Sequence, residues 1–208
     1  MKDKVSNAVI KRLPRYRRYL EDLKRKGVDR ISSSEMSELT GYTASQIRQD
    51  LNNFGGFGQQ GYGYNVEALY DEISMILGLD HDYKMVIIGI GNLGHAVANY
   101  THIYKAGFEV VGMFDVNPTI IGNEVNDIKI KDIEELVEFL KDNDVEVGII
   151  TTNKSSAQGV ADLLVEGGVK GIWNFAPVDL DLADEIALEN VHLSDSLHSL
   201  AFHIKHGI

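Results

Sequence analysis

The chain contains no cysteine, so a disulfide framework, a thiol nucleophile and a thiol-based redox sensor are all excluded. Any response to redox state has to come through a ligand. No apolar run approaches the length of a membrane span, and Met1-Lys2-Asp3-Lys4 leads into polar sequence rather than a signal-peptide core. The cytoplasm is the expected location and a membrane is not an expected partner. Metal-site spacing is also missing: His81, His95, His102, His192, His198, His203 and His206 form no ligand pattern with carboxylates or thiols. His203 and His206 share a helix face, where a solvated pair is the simpler reading. No Ser/His/Asp order and no carboxylate pair commits the chain to catalysis.

What is present suggests two parts. With 208 residues and 44% apolar content, the chain can bury a substantial core, and its length allows one domain or two small ones. The net charge of −11 conceals an asymmetry: residues 1–50 carry 12 Lys/Arg and 7 Asp/Glu, a net +5, so the remaining 158 carry −16. A basic head on an acidic body suggests that one end meets a polyanion. The alternative is a lysine-rich solvated terminus.

The body is organised around Val86-Ile87-Ile88-Gly89-Ile90-Gly91-Asn92-Leu93-Gly94-His95-Ala96, a buried-strand pattern running through G-x-G-x-x-G into a helix pattern. The first glycine permits the tight turn, the second lets backbone approach a pyrophosphate, and the third lets helix and strand pack closely. Asp115 ends the next strand pattern, Glu109 to Asp115, 21 residues after Gly94. There a carboxylate can meet a ribose 2′-OH and disfavour a 2′-phosphate. Helix patterns at Asp132 to Leu140 and Ser155 to Glu166 then alternate with strand patterns at Val145 to Thr151 and Gly171 to Asn174. This alternation predicts an α/β, doubly wound parallel sheet. Ligands of such sheets sit at the carboxyl ends of strands, which nominates Thr151, Thr152 and Asn153, and then Asn174, Phe175, Ala176 and Pro177.

The head reads as a helix-turn-helix. Pro14 suits the first turn of a helix whose stripe is Tyr16, Tyr19, Leu20 and Leu23, leaving Arg15, Arg17 and Arg18 mostly off it. Ser32-Ser33-Ser34-Glu35 offers a capping box for a helix around Glu35 to Thr40, ended by Gly41. Thr43-Ala44-Ser45-Gln46 offers another, opening a helix in which Ile47, Leu51 and Phe54 face inward. Its outer face carries Ser45, Gln46, Arg48, Gln49 and Asn52, side chains suited to phosphates and base edges in a major groove. An ordinary three-helix cap would look similar. Gly55 to Tyr64, glycine interleaved with aromatics, predicts a hairpin that would serve as a wing; taken alone it is a linker. Val66, Leu69, Tyr70, Ile73, Ile76 and Leu77 predict one more helix coupling the two domains, as lever or spacer.

The expected division is residues 1–80 as a winged-helix DNA-binding domain with its connecting helix, 81–190 as a Rossmann NAD(H)-binding domain, and 191–208 as a last strand with a C-terminal dimerisation helix. In that tail Leu193, Leu197, Leu200, Ala201 and Ile204 form an apolar stripe. It would cap its own domain or lie against a second chain; a two-fold DNA reader favours the second chain.

Taken together, Lys11-Arg12-Leu13-Pro14, Arg30-Ile31-Ser32-Ser33, Gln46 to Leu51, Phe57 to Asn65, Gly89 to Gly94 and Gly171 to Pro177 resemble the Rex family of redox-sensing bacterial repressors, essentially end to end. The resemblance implies a homodimer with winged-helix heads and Rossmann bodies that exchange C-terminal helices. It implies binding to an A·T-rich inverted repeat, release by NADH, and compatibility of NAD⁺ with DNA binding, so that the NADH/NAD⁺ ratio is sensed. It places Arg48 in the major groove and Tyr100, on the helix after the glycine loop, near the nicotinamide. Relatives often carry Lys or Arg at Gln49 and Gln60, so DNA affinity here would lean on Arg12, Arg15 and Arg18, with Ser32, Thr43 and Gly61 completing the DNA face. Many also have an acidic residue at His192, for which Asp195 could substitute. The competing readings are a small NAD-dependent dehydrogenase and a regulator that binds another nucleotide such as coenzyme A.

Overall fold

The head begins with α1 (Asn7–Arg25), which starts well before Pro14 and runs through it. The expected start at Pro14 is therefore corrected. Val9 and Leu13 lie on the same buried stripe as Tyr16 and Leu20, and burying that stripe outweighs the hydrogen bond that proline cannot donate. A two-residue strand, β1 (Arg30–Ile31), precedes α2 (Ser33–Thr40) and α3 (Ala44–Asn52). Ser32 and Glu35 close the expected capping box, and Thr43 Oγ1 accepts the Gln46 N–H at 3.2 Å. The glycine and aromatic stretch supplies β2 (Gly58–Gln59) and β3 (Gly63–Asn65), giving an antiparallel sheet of order β1-β3-β2. The computed structural model describes residues 5–55, 58–59, 62–101, 104 and 106–207, so the expected wing contacts Gln60 and Gly61 lie outside the described residues. Next, α4 (Val66–Ile76) buries Val66, Leu69 and Ile73 in the head's own core beside Leu13, Tyr16, Leu20, Ile47 and Leu51. Arg17 strengthens that packing by donating to Tyr70 Oη at 2.6 Å and Ser74 Oγ at 2.9 Å.

The chain divides into compact units at 1–81 and 82–208. The second unit runs β4 (Tyr83–Ile88), α5 (Asn92–Ala98), β5 (Phe108–Asp115), β6 (Glu124–Val125), β7 (Ile128–Asp132), a 3₁₀ turn (Ile133–Glu135) and α6 (Leu136–Asn143). It continues with β8 (Val147–Ile150), α7 (Ala157–Glu166), β9 (Gly171–Asn174), β10 (Ala187–Asn190) and α8 (Leu193–His206). The sheet order is β10-β9-β8-β4-β5-β7-β6, and every pair is parallel except β6 with β7. Alternate residues of β4 feed two cores. Val86 and Ile88 pack with Phe114, Leu140 and Leu164, whereas Met85 and Ile87 pack with Val97, Met113 and Ile149. Covered on both faces, the strand reads as an unbroken apolar run.

Three expectations need correction here. The helix predicted from Asp132 is preceded by the β6-β7 hairpin, whose turn residues Asn126 and Asp127 both adopt positive φ (51° and 63°); Asp132 itself ends β7. Helix α5 stops at Ala98, so Tyr100 lies beyond the helix it was expected to occupy. There the Asn99 side chain donates to the His95 carbonyl at 2.8 Å and competes with continuation of the helix. The last strand, β10, falls before residue 191, which leaves α8 and its short approach in the tail. Among the described residues no buried side-chain polar atom lacks a hydrogen-bond partner, and no helix is long and apolar enough to cross a membrane.

Candidate functional site

The glycine loop follows β4 and is held from three sides. Gly89 turns the chain at φ +93°. Its carbonyl oxygen lies 2.7 Å from the Thr151 hydroxyl, which is also 3.0 Å from the Ile88 oxygen and shares one proton between them. A Cβ at Gly94 would overlap the Gly89 carbonyl, so only glycine lets α5 pack this closely on the turn. At Gly91, by contrast, an added Cβ meets nothing within 4 Å. That open approach to backbone N–H groups is what a pyrophosphate requires. Asp115 completes the frame: Oδ2 accepts the Ile90 N–H at 2.7 Å and Oδ1 accepts the Asn117 N–H at 2.8 Å. The carboxylate keeps further lone pairs for ribose hydroxyls.

A cleft of about 220 Å³ opens beside this loop, lined by Gly89, Gly91, Asp115, Val116, Thr151 and Thr152 among others. It lies at the carboxyl ends of β4, β5 and β8, where the strand order reverses, which is the binding position of doubly wound sheets. Not every nominated residue faces it. Ile90 is buried and Leu93 half-buried, both in the core, so they can offer a ligand only backbone; Asn92 is exposed.

Asn174, nominated at the end of β9, is fully buried, and its side chain is engaged in internal bonds. Its Nδ2 donates to Val178 O and Asn190 Oδ1, each at 2.8 Å, while its Oδ1 accepts the Ala176 N–H at 2.9 Å. Ala176 is buried as well, Phe175 is half-buried with its ring 4.6 Å from that of Trp173, and Pro177 is exposed. Tyr100 is exposed and anchored by its backbone N–H to Val97 O at 3.1 Å.

In the head, α3 turns Ser45, Arg48, Gln49 and Asn52 to solvent, with Gln46 half-buried. Arg48 is braced by a 2.8 Å bond to Ser33 Oγ at the start of α2. Ser32 Oγ and Thr43 Oγ1 accept backbone N–H groups as caps, leaving their hydroxyl protons to donate outward. Arg15 lies over the Tyr42 ring at 5.3 Å and Arg18 over Tyr19 at 5.7 Å, each presenting its charge at the surface of α1. Arg12 differs, since Nε and Nη2 both bind Asp50. Asp50 escaped the sequence reading, although a signal exists: it falls at i+3 in the inward stripe of Ile47, Leu51 and Phe54. A carboxylate on a buried face implies a buried cation.

Family models and known proteins agree with this geometry. Residues 4–52 match the model described as "Putative DNA-binding protein N-terminus", and residues 80–178 match the "CoA binding domain" model. The redox-sensing transcriptional repressor Rex of Clostridium perfringens (strain SM101 / Type A) is 57% identical over 203 residues, covering 98% of this chain and 96% of its own. A solved structure of RSP in complex with beta-NAD⁺ and operator DNA matches with a TM-score of 0.94 at 55% identity, covering 98% of this chain and 94% of that one. RSP in complex with beta-NADH matches with a TM-score of 0.91 at 52% identity, covering 98% and 95%. Identity at this level over nearly the whole length means that the chain belongs to the Rex family of redox-sensing transcriptional repressors.

Proposed function

We propose that the chain is a DNA-binding repressor that senses the NADH/NAD⁺ ratio. NADH held in the Rossmann unit favours a dimer arrangement that leaves operator DNA, and NAD⁺ is compatible with the bound state. The observation that carries this is the open backbone at Gly91 set against the Asp115 carboxylate, in a chain whose other unit presents Arg48 on a capped helix. The related RSP structures hold NAD⁺ with operator DNA and NADH. Membership of a repressor family argues against a dehydrogenase, so the nucleotide acts as a signal without turnover.

Arg48, with Ser45, Gln46, Gln49 and Asn52, would face the major groove, and Arg15, Arg18, Ser32 and Thr43 the phosphates. Arg12 would contribute from its place against Asp50, and Gln60 and Gly61 from the wing. An A·T-rich inverted repeat fits a two-fold reader. Helix α8 supports dimerisation: it has no buried residue, and Leu197, Leu200 and Ile204 are 63%, 52% and 73% exposed. We assign 191–208 to that role, with the helix exchanged between subunits, beside a DNA-binding part at 1–80 and a nucleotide-binding part at 81–190. A repressor works where its operator is, in the cytoplasm. We assign discrimination at the nicotinamide to Tyr100, Phe175 and Pro177.

Titrating a repressor–operator complex separately with NADH, NAD⁺ and coenzyme A tests the reading. Release by NADH alone is the expected result. Equal release by NADH and NAD⁺ refutes the redox part, and release by coenzyme A alone would replace the ligand.

A further inference from the structure

Four strand ends of the second unit stand level. Ile88, Ile150, Asn174 and Asn190 are consecutive register partners across β4, β8, β9 and β10. The residues just beyond them are stitched by backbone bonds: Thr151 N–H to Ile88 O at 2.9 Å, Phe175 N–H to Ile150 O at 2.9 Å, and Val191 N–H to Asn174 O at 2.8 Å. One edge of the sheet thus runs from the glycine loop to the segment that leads into α8. A dinucleotide with its ribose at Asp115 and its pyrophosphate at Gly91 would extend its other half past β4, toward β8 and β9. With strands about 4.8 Å apart, β9 is roughly 10 Å from β4, within reach of that half.

Asn174 joins the loop after β9 to the end of β10. A primary amide offers two donors and an acceptor in one plane, and here each is used. One N–H and the oxygen hold Val178 O and Ala176 N–H in the loop after β9, and the other N–H holds Asn190 Oδ1 at the end of β10. Three residues after Asn190, α8 begins; the Nε2 of its N-cap His192 lies 3.5 Å from the exposed Asp179 Oδ1, a pair that is ionic only when the imidazole is protonated. Because Asn174 is 0% exposed, losing any of these bonds strands a buried polar group. A shift of the loop at 175–178 therefore moves Asn190, and with it the approach to α8.

We propose that Asn174 is the positioning residue that couples the occupant of the nucleotide cleft to the C-terminal helix, through its side-chain bond to Asn190, given that the chain is an NADH-responsive repressor. Asn190→Ala removes the acceptor and leaves the bonds of Asn174 within its own loop intact; Asn190→Asp keeps an acceptor oxygen at the same place. In the full-length protein, the factor by which NADH weakens operator binding should fall about threefold or more in Asn190→Ala and return in Asn190→Asp. NADH affinity without DNA and operator affinity without nucleotide should each stay within about twofold of wild type, as a coupling element requires. A wild-type coupling factor in Asn190→Ala overturns the proposal. Hydrogen exchange on the unmutated protein gives an independent check. NADH and NAD⁺ should protect amides 190–196 differently, and identical protection overturns the proposal even if no variant folds. A wild-type protein whose operator affinity ignores NADH fails earlier, and takes the repressor reading down with the coupling.

Discussion

Asp50 and Arg12 are joined by two bonds of 2.7 Å each, the carboxylate reaching inward from α3 and the guanidinium across from α1. Tyr16 Oη donates a third at 2.7 Å. Asp50 is 2% exposed. The bond to Asp50 raises Arg12 above its ordinary value, and burial, then Asp50, raises the Tyr16 hydroxyl, so both donors keep their protons. Removing Asp50 leaves the buried Tyr16 hydroxyl without its acceptor and the part-buried Arg12 guanidinium unpaired, at about 1–3 kcal/mol. Asp50→Ala should lower the unfolding free energy of the head by about that much in a urea titration. Arg12→Met combined with Asp50→Leu should recover most of the loss. An Asp50→Ala midpoint equal to wild type would contradict the pairing.

Gly91 and Gly94 separate ligand space from packing space. Gly91→Ala should fold with an unchanged melting temperature, since its Cβ meets no protein atom, yet bind NADH at least about tenfold more weakly by calorimetry. Gly94→Ala should lose stability even without ligand, because its Cβ would strike the Gly89 carbonyl. The same melting temperature for both variants would show that the cradle is misassigned.

The capping box at α2 carries a pH signature. The Ser32 backbone N–H, donated to Glu35, holds that carboxyl below its ordinary value near 4.5. The folded head therefore favours the carboxylate. Its contribution is complete above the unfolded value and is lost as pH falls through the lowered folded value. Melting curves of wild type and Glu35→Gln should differ at pH 7 and draw together as pH falls through the lowered folded value; a gap that does not narrow on acidification would mean the charge is irrelevant.

Helix α8 should be required for assembly. Leu197→Glu with Leu200→Glu places charge on its exposed apolar face and is expected to yield monomers by light scattering, with operator affinity reduced and nucleotide binding to the isolated subunit retained. A variant that remains dimeric would locate the interface elsewhere.

Much of this was legible where backbone sterics dictate residue type. The spacing of Gly89, Gly91 and Gly94 follows from a turn, an approach and a close packing, and Ser32 with Glu35 follows from two orphan N–H groups. Pro14 misled because tertiary burial of Val9 and Leu13 overrides a local breaker. The β6-β7 hairpin was hidden because β6 has only two residues, too few to show a period, and Asn126-Asp127 is a weaker turn signal than Asn-Gly. Asn174 looked like a strand-end ligand because strand-end asparagines resemble one another in sequence. Its 0% exposure and its bond to Asn190 come from the fold and leave no periodic signal in the sequence.

The glycine loop has a kinetic consequence. Thr151 holds Gly89, Asp115 holds Ile90, and Gly94 packs against the turn before any nucleotide arrives. With the backbone already in place, no ordering step stands between encounter and capture, and little conformational entropy is lost on binding. Exchange of one nucleotide for another then waits on departure of the first. The lag of the repressor after a metabolic shift should accordingly follow the nucleotide's residence time rather than any motion of the loop that holds it.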